Sequence, residues 1–153
     1  MKKRILIADD EAALLRTMAF TLRRKGYETK TFTDGRSAYE EIQKSIHDKS
    51  LYDLIIADIQ MPELSGVELI KKIRESGITI PILAITGFSN KQLISNLVKS
   101  GCYDVLDKPF QMNEFLDRIS KLLETAHTEN KPTKIKKQAE MRIQLNREKG
   151  EKK

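Results

Sequence analysis

Short apolar runs recur along the chain, separated by segments in which apolar residues fall every third or fourth position. The first run is Arg4 to Asp9, RILIAD, which ends in acid. Leu14, Leu15, Met18 and Leu22 then recur at helical spacing between Glu11 and Lys25, and Gly26 stops that helix. Glu28 to Phe32 alternates enough to predict a half-exposed edge strand. Asp34 is placed to cap a helix through about His47, with Ala38, Ile42 and Ile46 facing inward. Leu54 to Ala57 is uninterrupted and apolar, as a strand covered on both faces must be, and it ends abruptly on Asp58. Met61-Pro62 breaks the chain direction and Ser65-Gly66 allows a sharp turn. Val67, Ile70 and Ile73 mark a helix ending near Gly77. Ile80 to Ile85 predicts a further buried strand, with Pro81 near its start, ending at Thr86-Gly87. Leu93, Leu97 and Val98 face inward on a helix from about Ser89 to Ser100, which Gly101 ends. Tyr103 to Asp107 is the last strand, followed by Lys108-Pro109-Phe110. Asn113 is the expected cap of a final helix with Phe115, Ile119 and Leu122 or Leu123 inside.

Five strands alternating with five helices predict an α/β fold: a doubly wound parallel sheet in three layers, joined by right-handed crossovers. The order 2-1-3-4-5 is one of two common doubly wound orders, and periodicity alone does not choose it.

Composition adds bounds. A chain of 153 residues, 39% hydrophobic and 33% charged, fits one domain with a real core. No apolar run approaches the ~20 residues that span a bilayer. The opening MKKRILIADDEAA has too short an apolar stretch for a secretory signal, and the lone Cys102 excludes an internal disulfide framework. The expected location is cytoplasmic. Of the net charge of +6, most belongs to the end of the chain: residues 126–153 hold nine Lys/Arg and four Asp/Glu. The rest is nearly neutral, so basicity is a property of the tail.

The chemistry collects where strands end. Strands 1, 3, 4 and 5 deliver Asp9-Asp10, Asp58, Thr86 and Lys108. In a parallel sheet these ends share one edge, where ligands of open α/β sheets bind. Clustered carboxylates repel, and proton uptake or a divalent cation relieves them. A hard cation with few carboxylates and several retained waters is Mg²⁺; Mn²⁺ also suits such an oxygen site. Metal, hydroxyl and ammonium around a central carboxylate make a cradle for phosphate oxygens, and the carboxylate becomes a nucleophile toward phosphorus.

The set DD, DIQMPELSG, T-G and DKPF, in this order and spacing, resembles a two-component response-regulator receiver domain over about residues 3 to 124. Each motif alone is weak; four at the expected strand ends are strong. The resemblance implies the flavodoxin-like order and a phospho-acceptor at Asp58. It implies Mg²⁺ held by Asp10 and Asp58, with Asp9 helping and the Gln60 backbone carbonyl as a further ligand. Thr86 and Lys108 would contact phosphoryl oxygens, and the Lys108-Pro109 bond would be cis. It also implies a histidine kinase or histidine phosphotransfer protein as donor.

One position departs from the family. Three residues before the lysine, receivers usually carry Tyr or Phe as a rotating switch; this chain has Val105, which is stiff and small. Tyr103, two residues earlier, is expected on the same strand face but further from the catalytic end. Gln60 and Phe88 occupy the positions that flank water's approach to the acceptor in receivers, and the Phe88 ring is expected to cover the phosphoryl group.

Residues 1–125 therefore read as the receiver domain and 126–153 as a basic tail, disordered or weakly helical. The function expected is a stand-alone phosphorylation switch or relay carrier acting through protein contacts, catalysing only its own phosphorylation and dephosphorylation. The alternative is a receiver whose tail binds nucleic acid or a membrane surface; the tail has no aromatic residue to stack on bases, which argues against nucleic acid. An Asp-nucleophile phosphatase of the haloacid-dehalogenase type needs DxDx[TV] on its first strand, where this chain has DDEA. A flavin carrier would meet repulsion from Asp9, Asp10 and Glu11.

Overall fold

A computed structural model of the protein describes residues 2–125; the expectations for the basic tail lie outside them. Five strands and five helices alternate: β1 (Arg4–Ala8), α1 (Ala12–Arg24), β2 (Glu28–Phe32), α2 (Gly35–His47), β3 (Leu54–Asp58), α3 (Gly66–Glu75), β4 (Ile82–Thr86), α4 (Lys91–Ser100), β5 (Asp104–Asp107) and α5 (Met112–Thr125). The sheet is wholly parallel in the order β2-β1-β3-β4-β5. This is the flavodoxin-like order.

Side chains alternate across each strand, so every buried strand feeds two cores. Ile5, Ile7, Leu54, Ile56, Leu83, Ile85 and Leu106 pack under α1 and α5, around Met18, Leu22, Phe115 and Ile119. Leu6, Ala8, Ile55, Ala57, Ile82, Ala84 and Val105 pack under α2, α3 and α4, around Ile42, Leu69, Ile70 and Leu97. Three layers result, and β3 and β4 are buried along their whole length. The edge strand β2 is half-exposed, as its mixed pattern predicts.

Local chemistry sets the ends. Asp34 and Asn90 cap α2 and α4 by accepting from Ser37 N and Leu93 N. Gly101 closes α4 at φ +107°, where a Cβ is strained.

Several details differ from the pattern-based expectation. Ile46 is exposed and Ser45 is buried in its place. Steps of four residues advance 400° around a helix, so an i, i+4, i+8 series drifts off the core. Ser45 satisfies its hydroxyl on Ile42 O at 2.7 Å. On α3 and α4, Leu69 and Ile94 are buried, while Val67, Leu93 and Val98 are half-buried. β4 begins at Ile82 and runs through Thr86. Pro81 lacks an N–H, and its carbonyl accepts from Ile55 N. α4 starts at Lys91, after its Asn90 cap rather than near Ser89. Asn113 does not cap α5; it lies inside the first turn, and Phe115 N–H reaches back to Gln111 O.

Tyr103 is not on the face of Val105. It precedes β5, packs against the α1/α5 core and has the Arg74 guanidinium 5.6 Å from its ring centroid. Val105 is buried in the opposite core.

Candidate functional site

Four strand ends build the site. Ala8 pairs with Ala57 in the register of β1 and β3, so Asp9 and Asp58 emerge level with one another. Thr86 pairs with Asp107 across β4 and β5, which brings Lys108 to the same edge. Asp9, Asp10 and Asp58 each offer a carboxylate oxygen within 4.8 Å of the others. Asp9 and Asp58 are buried, and Asp10 is exposed at the mouth.

Each buried carboxylate is aimed by the chain that follows it. Asp9 Oδ1 accepts from Glu11 N at 2.8 Å, and Asp58 Oδ1 accepts from Gln60 N at 3.2 Å. These short turns leave the second oxygens facing each other across the pocket. Lys108 Nζ fills the space between, 3.2 Å from Asp9 Oδ2, 3.2 Å from Asp58 Oδ2 and 2.9 Å from Glu11 Oε1. The Lys108-Pro109 bond is cis. Thr86 is buried beside this group, its Oγ1 accepting from Phe88 N at 3.1 Å.

Burial, and then the charge of Asp9, push the Asp58 carboxyl up to about 6; Lys108 and the Gln60 N–H pull it the other way. Burial also works against the Lys108 ammonium, but Glu11, Asp9 and Asp58 outweigh it and raise its pKa above the ordinary value.

The donor set fits a hard divalent cation. All three side chains offer oxygen, and Asp9 Oδ2 is buried without a hydrogen bond, facing the ammonium only as an ion pair. Gln60 lies exposed at the same rim. Phe88 is 71% exposed. Glu11 was not expected as a partner of Lys108. Its signal in the sequence is simply its place, the third acid in a row after β1.

A sequence model described as the response regulator receiver domain matches residues 5–120. The chain belongs to the response regulator receiver family. It is 34% identical over 121 residues to the response regulator receiver protein CpdR of Brucella abortus, covering 79% of this chain and 97% of CpdR. It is 32% identical over 123 residues to the transcriptional regulatory protein PhoP of Bacillus subtilis, covering 80% of this chain and 49% of PhoP. The chain thus spans about half the length of PhoP. Among solved structures, chemotaxis protein CheY4 of Vibrio cholerae superposes with a TM-score of 0.73 at 28% identity, over 80% of this chain and 99% of that one. A CheY-like receiver domain from Methanospirillum hungatei gives 0.77 at 24% identity, over 85% and 100%; that likeness speaks to the fold. A receiver domain is a phosphorylation-dependent signalling switch, which takes its phosphoryl group from a histidine kinase or phosphotransfer protein and typically uses Mg²⁺ at an acidic pocket. No helix among the described residues is long and apolar enough to cross a membrane.

Proposed function

We propose that Asp58 is the phospho-acceptor of this receiver and that Asp9, Asp10, Thr86 and Lys108 serve its chemistry. The observation that carries this is the convergence of three carboxylates and one ammonium at the carboxyl edge of β1, β3 and β5. An Asp58 oxygen attacks phosphorus, a P–O bond forms, and the donor's P–N or P–O bond breaks with its electron pair leaving on the donor. The Lys108 ammonium and the Thr86 hydroxyl would face phosphoryl oxygens. Asp10 and Asp58, with Asp9 and the Gln60 carbonyl, are the residues that would hold Mg²⁺, which when bound offsets the charge of carboxylates and phosphoryl oxygens.

The protein then works as a switch or relay carrier rather than as an enzyme with a separate substrate. Its donor is a histidine kinase or histidine phosphotransfer protein in the cytoplasm, and its output is a change in protein contacts. Val105 offers no aromatic rotor for that change, and Tyr103, at the amino end of β5, is badly placed to supply one. Acetyl phosphate with Mg²⁺ tests the assignment. Wild-type protein gains one phosphoryl group, released by hydroxylamine, and Asp58→Asn gains none. Equal labelling of Asp58→Asn on another residue would sink it.

A further inference from the structure

We propose that Glu11 is the resting partner of the Lys108 ammonium, and that phosphoryl uptake must draw Lys108 away from it. Glu11 is then a positioning residue that sets how readily the site takes a phosphoryl group. The inference rests on the reading of Asp58 as acceptor.

Lys108 Nζ has three protons to donate and meets three carboxylates. It hydrogen-bonds Glu11 at 2.9 Å and Asp58 at 3.2 Å, and stands 3.2 Å from Asp9 as an ion pair. The shortest contact is thus to the carboxylate outside the acid cluster. That carboxylate is also the most exposed of the three: the Glu11 side chain is 59% accessible, against 0% for Asp9 and 4% for Asp58. The Glu11 backbone is anchored, because its N–H is bonded to Asp9 Oδ1 at 2.8 Å. Its side chain is free to leave without stranding a buried charge. Glu11 therefore holds the ammonium toward the mouth with a contact that is cheap to break.

A phosphoryl group on Asp58 brings new anionic oxygens that need the same ammonium. Glu11 competes for it, and the pair must open before Lys108 serves the phosphoryl group fully. Releasing Lys108 in advance removes that competition. A second effect has the same sign: a carboxylate at the mouth repels an anionic phosphoryl donor. Glu11→Asp separates the two, since it keeps the charge but is one methylene too short to hold the ammonium in the same place.

The experiment uses the full chain, acetyl phosphate and saturating Mg²⁺. Glu11→Gln and Glu11→Asp should both speed phosphoryl uptake, about twofold to fivefold, the range of a half-exposed ion pair. In a Lys108→Ala background Glu11→Asp should have no effect, because the clamp runs through the lysine, while Glu11→Gln keeps only the part of its gain that comes from the lost charge. Thermal melting of the same four proteins of the cycle (wild type, Glu11→Gln, Lys108→Ala and the double variant) without metal gives a second readout. The two losses should be clearly non-additive. An accelerated Glu11→Gln beside an unchanged Glu11→Asp would overturn the clamp in favour of charge alone. So would acceleration by Glu11→Asp that persists in Lys108→Ala, unchanged uptake in both Glu11 variants, or additive melting shifts. Wild type that takes no label overturns the acceptor assignment instead, and the melting cycle then decides the Glu11 pair by itself.

Discussion

Asp58 is a carboxylate held almost out of water beside another carboxylate, and its elevated pKa makes a testable statement about stability. Its ordinary value is 3.8 and its folded value about 6. Between those values the folded protein binds the proton that the unfolded chain releases. Stability therefore falls as pH rises through this window; the Asp58 contribution is complete below about 4 and gone above about 6. In metal-free buffer near pH 7, Asp58→Asn should be more stable than wild type, by on the order of 1–2 kcal/mol after solvent screening at the open mouth. The gap should close as pH falls toward 4. Urea denaturation across that range measures it, and a gap independent of pH would mean that Asp58 ionisation does not strain the fold. The meeting of Asp9, Asp10, Asp58 and Lys108 at one edge was legible in the sequence because each follows or ends an apolar run. Glu11 was not legible as a contact, because its meeting with Lys108 spans 97 positions and no local pattern encodes that.

At the scale of elements, two contacts hold the site's frame. Gly66 opens α3 directly against the end of β3: a Cβ there would lie 2.4 Å from Asp58 O and 2.7 Å from Ile59 Cα. Both are backbone atoms that no rotamer change relieves. Gly66→Ala should cost roughly 2–3 kcal/mol by overpacking, and should slow phosphoryl uptake by moving Asp58. Normal stability together with normal uptake would show that α3 shifts freely. The second contact ties α5 to β5. Arg118 donates to Asp104 Oδ2 at 2.6 Å, and Asp104 is buried, its Oδ1 taking Val105 N–H. Arg118→Ala strands that charge and should cost about 3 kcal/mol. Asp104→Leu with Arg118→Met should recover most of the loss, since two apolar groups need no pairing. A double variant as weak as Arg118→Ala would contradict this. The pair escaped the sequence reading because Asp104 sits among Tyr103, Val105 and Leu106 with nothing nearby in sequence to mark its partner.

The whole molecule answers to the acid cluster as a single electrostatic unit. Three carboxylate oxygens within 4.8 Å, answered by one ammonium, leave net negative charge at the edge of the sheet. A divalent ion that binds the folded form and not the unfolded chain should raise the melting temperature by mass action. At 100 times its dissociation constant, Mg²⁺ should add roughly 2.7 kcal/mol. Asp10→Ala should lose most of this gain, because Asp10 is the exposed carboxylate at the mouth. An equal Mg²⁺ shift in wild type and Asp10→Ala would show a non-specific effect of the ion.

The sequence by itself determined the alternation of strands and helices, because burial on two faces demands continuous apolar runs and burial on one face demands a helical period. It also determined the residues at the carboxyl edge, because parallel strands put all such ends together. Only the tertiary structure decided which side chains share a face where the period drifts, as Ser45 displaces Ile46. It alone placed Tyr103 apart from Val105, since the strand begins after Tyr103 and the two-residue rule no longer holds there. And it alone joined Glu11 to Lys108. That contact depends on how β1 and β5, which are not neighbours in the sheet, direct the chain beyond their ends, and such geometry exists only once the sheet has formed.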